Sequence, residues 1–372
     1  MPAVAIAGCS DYQRQRVEAA LEAAMAALGG WHRFVTPGMR VLIKPNLLMR
    51  AAPERAVSTH PEVIAAASRA VAACGGVPLI AECPGGPNTA AWIHAVYAGC
   101  GVTRVAEETG AVLNEDFREG LLRIPNGVAL NETPVMAVAL EADAIISLAK
   151  QKTHGLTSYT GACKNLFGLV PGLEKPKFHH RYPFIDGFAD ALVDIVETVK
   201  PVLSIIDAVV GMEGDGPSHG QPLAIGALIA SPSPHAADHA GAALYGLAPE
   251  QVPTLLAAKK RGLLDDVDYV GENIAPFIQP NVVLPYTPET RSMSGRRIAR
   301  PKINILRSKP RLVAERCVGC GICAQNCPQG IIEMRAKKPV ILRGCIRCLC
   351  CAELCPHNAM VAQRPLFLRM IQ

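Results

Sequence analysis

Two segments near the C-terminal end carry the same cysteine spacing, and this duplication constrains the fold more than any other feature. Residues 317–328 read CVGCGICAQNCP and residues 345–356 read CIRCLCCAELCP. Each is C-x2-C-x2-C-x3-C-P, and each of the four cysteines recurs 28 positions later, at 317/345, 320/348, 323/351 and 327/355. Eight of the 14 cysteines thus fall at ligand spacing, and the chain shows no export signal, so metal binding in a reducing compartment is expected rather than disulfides. Three closely spaced thiolates can reach three irons of one cube. Zinc is the alternative for soft thiolates, and the tandem spacing weighs against it.

The duplication resembles the bacterial two-cluster ferredoxins over roughly residues 311–362. In such proteins the fourth cysteine, followed by proline, ligates the other cluster. The resemblance therefore implies two 4Fe-4S clusters. One would be held by Cys317, Cys320, Cys323 and Cys355, and the second by Cys345, Cys348, Cys351 and Cys327. Cys350 lies off the ligand register and reads as a packing residue. From residue 307 onward there are eleven Lys or Arg against three Asp or Glu. Two oxidised clusters with their thiolates carry about −2 each, which leaves the unit positive. Cations such as Arg316, Arg343 and Arg347 would raise the cluster potential, and a positive surface would steer an acidic redox partner, such as a ferredoxin or reductase, inward. The plainer alternative is a set of solvated charges.

Upstream, apolar strands alternate with helical patterns, as in an α/β domain with a mostly parallel sheet and flanking helices. The organisation expected is an α/β domain over 1–270, a Pro-rich connecting segment over 271–310 containing the basic stretch SGRRIARPK, and a small α+β two-cluster unit over 311–372. The opening VAIAG reads as a first strand. IAGC resembles a lipoprotein box ending at Cys9, but no basic stretch precedes it. RVLIKPN at 40–46 and VPLIAE at 77–82 read as further strands. STHPEVIAAASRAVAACGG between them reads as a helix capped by Ser58 or Thr59. ADAIISLA at 142–149, VLSIIDA at 202–208 and LAIGALIAS at 223–231 are apolar runs of strand length, the first two continuous enough to be buried on both faces. SPHAADHAGAALYGL and PEQVPTLLAAKKRG read as helices. No apolar run is long enough to span a bilayer, and a net charge of +5 does not indicate a nucleic-acid binder. A cytoplasmic protein is expected.

Ligands in an open α/β sheet gather beyond the carboxyl ends of strands, where this chain places KPN, CPGG, KQKTH and DAVVGMEGDGPSHG. If the strand continues through Lys150, Lys152 and His154, all three share a face, and charge there demands an anion or acidic partners. Ser158 or Thr160 could cap a short helix beginning GACKN, whose free amides also favour an anion. Lys164 and Asn165 would project from it, and Lys175, Lys177, His179, His180 and Arg181 form a second basic group. Asp207, Glu213, Asp215 and His219 could bind a metal, pair with the lysines or act as acid/base groups. Cys163 reads as a buried thiol, with an activated nucleophile as the alternative. A solvated basic loop is the plain alternative for the whole stretch.

VLIKPNL, STHPE, AIISLAKQKTHGLTSYTGACKNLFGLVPG and IIDAVVGMEGDGPSHGQP together resemble the domain-of-unknown-function 362 family of iron–sulfur centre proteins, over roughly residues 38–265. The resemblance implies an α/β domain fused to two 4Fe-4S clusters and supplies no settled reaction. His235 departs from the small apolar residue usual there, whereas Asp238 fits the pattern. The expectation is a ferredoxin-linked oxidoreductase. It would pass single electrons to an anionic small molecule held by Lys44, Asn46, Lys150, Thr160, Lys164 and Asn165, with Lys152 and His154 as catalytic groups and Asp207 or Asp215 as alternate proton donors. The competing expectations are a non-catalytic electron carrier or assembly protein, or a non-redox enzyme with structural clusters. An exposed 150–165 loop would favour docking, and a closed pocket would favour an enzyme.

Overall fold

The computed structural model describes residues 1–285, 307–363 and 365; the basic stretch SGRRIARPK lies outside them. In the first part of the chain β1 (Ala3–Gly8), β2 (Arg40–Pro45), β3 (Val77–Ile80) and β4 (Val112–Leu113) precede a separate hairpin of β5 (Glu119–Arg123) and β6 (Glu132–Met136). There follow β7 (Ala144–His154), β8 (Ser158–Thr160), β9 (Leu203–Glu213), β10 (Gln221–Ser231) and β11 (Asp268–Gly271). Nine strands form one sheet in the order β11-β1-β10-β9-β7-β2-β3-β4, with β8 paired to β7. The β9-β7-β2-β3-β4 run and the β11/β1 pair are parallel, whereas β10 is antiparallel to both its neighbours. Helices cover both faces, which explains why the central strands read as unbroken apolar runs.

The long central strand differs from expectation in a way that positions the site. β7 does not stop at Ala149. It runs through Lys150, Gln151, Lys152, Thr153 and His154, and every one of its residues is buried. The extension is sustained because β8 folds back on it, pairing Lys152 with Thr160, while β9 continues beside it through an irregularity between Lys150 and Lys152. β9 likewise extends to Glu213. The helix Pro61–Ala73 is capped by His60, not by Ser58 or Thr59; His60 Nδ1 accepts from the Glu62 amide. Thr59 is committed elsewhere. Its hydroxyl donates to the Leu148 carbonyl at 2.7 Å and accepts from the Asn46 amide at 2.9 Å, tying the helix entrance to the middle of β7 and to the residue after β2.

Beyond β11, residues 272–285 lie against the α/β unit. The Gly214 amide donates to the Val283 carbonyl at 2.6 Å, and the Val283 amide donates to the Glu213 carboxylate at 2.8 Å. The C-terminal unit pairs β12 (Lys309–Leu312) with β15 (Met360–Gln363), and β13 (Ile332–Arg335) with β14 (Lys338–Ile341). The sequence duplication reappears in its backbone. Short helices at Ile322–Gln325 and Cys350–Glu353 are offset by the same 28 positions. Left-handed backbone recurs at Gly319/Arg347, Gly321/Leu349 and Gly330/Asn358. Glycine fills these positions in the first repeat at no steric cost, while the second repeat accepts side chains there.

Candidate functional site

Lys44 ends β2 fully buried, which is tolerable only because its charge is met. Its Nζ lies 2.5 Å from Glu82 Oε2, 2.8 Å from the Pro45 carbonyl and 3.0 Å from Asn165 Oδ1. Burial pushes this amine down, and Glu82 pulls it back up. Asn165 in turn donates through Nδ2 to the Lys44 carbonyl and to Ser147 Oγ, and accepts from Asn46 Nδ2 at 3.3 Å. That orients the Asn46 carbonyl oxygen onto Lys152 Nζ, 2.6 Å away. Gly168 permits the approach: a Cβ there would stand 2.2 Å from Glu82 Oε1 and 2.3 Å from Lys44 Nζ.

Lys150 belongs to a separate network. Its Nζ donates to Asp207 Oδ2 at 2.8 Å and to the Tyr12 hydroxyl at 2.7 Å, and Asp207 also accepts from Tyr12 and from the His60 amide. Asp207 thus pairs with Lys150, the pairing being one of the roles expected of it. The other acidic-loop residues diverge too. Asp215 and His219 line a second cavity of about 280 Å3, with His219 Nε2 3.0 Å from the Ala352 carbonyl. The helix Ala162–Asn165 is capped by neither Ser158 nor Thr160. Its first amides, from Ala162 and Cys163, donate to the carboxylate of Asp238, so the anion expected there is supplied from within. Cys163 is a buried thiol pushed well above its ordinary range by burial and by Asp238, with its Sγ 3.2 Å from His235 Nδ1.

The remaining groups enclose a cavity of about 90 Å3. Asn46, Glu82, Lys152, His154, Thr160, Lys164, Asn165, Lys175 and His179 line it from the α/β side. Among the described residues the buried hydroxyl of Thr160 finds no hydrogen-bond partner. Lys164 Nζ sits 5.5 Å from the Phe167 ring centroid, and Lys175 donates to the Cys83 carbonyl. Burial lowers the pKa of both lysines. His154 is neutral, pushed well below its ordinary range by burial and then by Lys164 and Lys152. Its Nδ1 accepts from the Leu156 amide at 3.0 Å, which places its hydrogen on Nε2. His179 stacks on Phe188 and is pushed down to about 3 by burial and the Lys164 charge.

The far wall comes from the C-terminal unit. Cys350, Glu353 and Leu354 line the same cavity. Glu353 Oε1 is 3.9 Å from His154 Nε2, and burial raises its pKa. Ser218 Oγ donates to the Glu353 carbonyl at 2.7 Å, and Leu354 packs onto Gly85. In the same unit, Cys327, Cys345, Cys348 and Cys351 line a cavity of about 20 Å3, and Cys317, Cys320, Cys323 and Cys355 line another of about 20 Å3.

The family model "Domain of unknown function (DUF362)" matches residues 41–243. The chain belongs to this family. Among its relatives is the thylakoid-associated protein sll1697 of Synechocystis sp., 33% identical over 261 residues, 70% of this chain and 79% of that protein. A 4Fe-4S binding domain model matches residues 310–333, so this DUF362 chain carries an iron–sulfur electron-transfer unit. Similar solved structures include the lactate racemase apoprotein of Thermoanaerobacterium thermosaccharolyticum, with 13% identity, TM-score 0.34, 60% of this chain and 54% of that one. A Thermotoga maritima protein matches with 15% identity, TM-score 0.31, 56% of this chain and 53% of that one. The chain thus spans about half of each solved structure. Among the described residues no helix is long and apolar enough to cross a membrane.

Sequence reasoning missed Glu82, Tyr12 and Glu353, and left Lys175 and His179 undistinguished from their neighbours. Glu82 had a signal, as a carboxylate ending a buried strand beside one that ends in lysine. Glu353 had one as well, as the lone charge within CLCCAELC.

Proposed function

We propose that this DUF362 protein is a ferredoxin-linked oxidoreductase that delivers single electrons from two 4Fe-4S clusters to a small anion in the lysine-lined cavity. The donor sets fit that role: two rings of four thiolates, each around its own cavity, with Cys317, Cys320, Cys323 and Cys355 holding one cluster and Cys345, Cys348, Cys351 and Cys327 the other. The clusters supply one-electron steps when bound. One observation carries the reading. Cys350, Glu353 and Leu354 wall the anion cavity, interleaved with Cys348, Cys351 and Cys355 of the two thiolate rings.

The protein's own groups divide the remaining work. Lys164 and Lys175 face the cavity without a carboxylate at ion-pair distance among the described residues, and they stabilise the negative charge of the substrate and of its reduced form. Thr160 and the Nε2–H of His154 orient it through hydrogen bonds. Burial of the whole 150–165 stretch except Gly155, Leu156 and Lys164, which are half-buried, supports this reading over simple docking by an exposed loop.

Anaerobically purified protein should hold close to eight irons per chain. After reduction it should be reoxidised by a small anionic acceptor at a rate that Lys164→Ala cuts at least tenfold. Iron near four refutes the two-cluster assignment, and unchanged turnover in Lys164→Ala refutes the substrate site.

A further inference from the structure

Three buried lysines stand close together at the carboxyl edge of the sheet, and two of them have carboxylate partners. Lys44 has Glu82 and Lys150 has Asp207. Lys152 has neither. Its Nζ donates to Asn46 Oδ1 at 2.6 Å and to the Val57 carbonyl at 2.7 Å, both uncharged. The Asn46 amide cannot readily turn over, because its Nδ2 donates to Asn165 Oδ1, which the Lys44 ammonium also engages. A neutral amine has two N–H bonds and one lone pair. Two fixed acceptors take both N–H bonds, and the lone pair is left for the cavity that Lys152 lines.

We propose that Lys152 is a nucleophile that captures a small 2-oxo acid as an imine, with the acid's carboxylate held by Lys164 and Lys175. The inference rests on the cavity being an anion site, and not on electron transfer. The lone pair of Nζ bonds to the carbonyl carbon, and the resulting carbinolamine loses the oxygen as water. Both C–O bonds of the carbonyl break, both amine protons leave with the oxygen, and one C=N double bond forms. No oxidant or reductant is consumed. The cavity suits a small acid. At 10–15 Å3 for each water-sized occupant, about 90 Å3 admits roughly six to nine non-hydrogen atoms, the range of three- and four-carbon oxo acids. The amine is available near neutrality, because burial, then Lys164 and Lys150, hold Lys152 down at about 7. The unpartnered Thr160 hydroxyl supplies a hydrogen bond to the bound acid.

The protein, purified anaerobically, is incubated separately with pyruvate and 2-oxobutyrate, then treated with cyanoborohydride and peptide-mapped by mass spectrometry. The expected result is a reduced adduct on Lys152 with at least one acid, absent from Lys152→Arg. Labelling should rise about tenfold between pH 6 and pH 8 and then level off, whereas an ordinary surface lysine keeps rising. Absence of an adduct with both acids, or its location on another lysine, overturns the inference. Thermal shift with the same acids separates the two claims. Stabilisation that Lys164→Ala abolishes, without any adduct, overturns the imine and leaves the anion site standing. Absence of both stabilisation and adduct overturns the two together.

Discussion

Replacing Asp207 by Asn removes the counterion of Lys150 without changing the volume of the site. The carboxylate is fully buried and accepts from Lys150 Nζ and the Tyr12 hydroxyl, each at 2.8 Å, and from the His60 amide at 2.9 Å. An amide in its place carries no charge and turns an N–H2 group toward at least one donor. Breaking a buried pair from one side costs about 3–5 kcal/mol, because the other charge stays behind. With a urea dependence of roughly 3 kcal/mol per M, the unfolding midpoint falls by about 1–1.7 M. Trp31 and Trp92 are the chain's 2 tryptophans and both lie in the α/β unit, so their fluorescence reports the unit concerned. The penalty should shrink as pH rises from 7 to 9, since an unpaired Lys150 can shed its proton. Adding Lys150→Met should restore much of the loss, as an apolar replacement of both partners often does. A midpoint shift below about 0.3 M for the single variant, or a double variant no better than the single, would refute the assignment of Asp207 as a structural counterion.

Burial raises the Asp238 carboxyl to about 6 from 3.8, so the native state holds its proton where the unfolded chain has lost it. Its contribution should fall as pH rises through that window and stay flat above it, read as the difference in Tm between wild type and Asp238→Asn. Lys152 has the opposite sense. Held down at about 7 against 10.5, it makes the wild type gain stability relative to Lys152→Met as pH climbs from 7 to 10, and parallel profiles would contradict this. Gly168→Ala should destabilise by about 1–3 kcal/mol in urea unfolding while leaving iron content unchanged, because its methyl has no room beside Lys44 and Glu82. Cys350→Ala should keep the full iron content and cluster signal, since Cys350 lines the anion cavity and neither thiolate ring; loss of half the iron would make it a ligand.

Much of this arrangement was legible because chemistry collects where apolar runs end. Asn46, Lys152, His154, Thr160, Lys164 and Asn165 lie at or just beyond the ends of apolar runs in sequence, and the structure gathers them at one cavity. Their partners were illegible for a common reason. Glu82 lies 38 residues from Lys44, Asp207 lies 57 from Lys150, and Asp238 lies 75 from Cys163. No local pattern pairs residues so far apart. Whether β7 continued beyond Ala149 stayed open in the sequence for a related reason: charged residues close an apolar run on paper, yet in the folded chain internal partners make their burial affordable. Lys150 was grouped with Lys152 by alternation alone, and the register irregularity between them, together with Asp207, gives the two amines different surroundings.

The placement of Cys350, Glu353 and Leu354 also ties the cavity to the cysteine-bearing unit. They sit between cysteines of the two rings, in backbone that takes left-handed geometry at Arg347, Leu349 and Asn358. Any change in the cysteine-bearing unit, such as loss of iron, should therefore be felt at the α/β cavity whose wall it supplies.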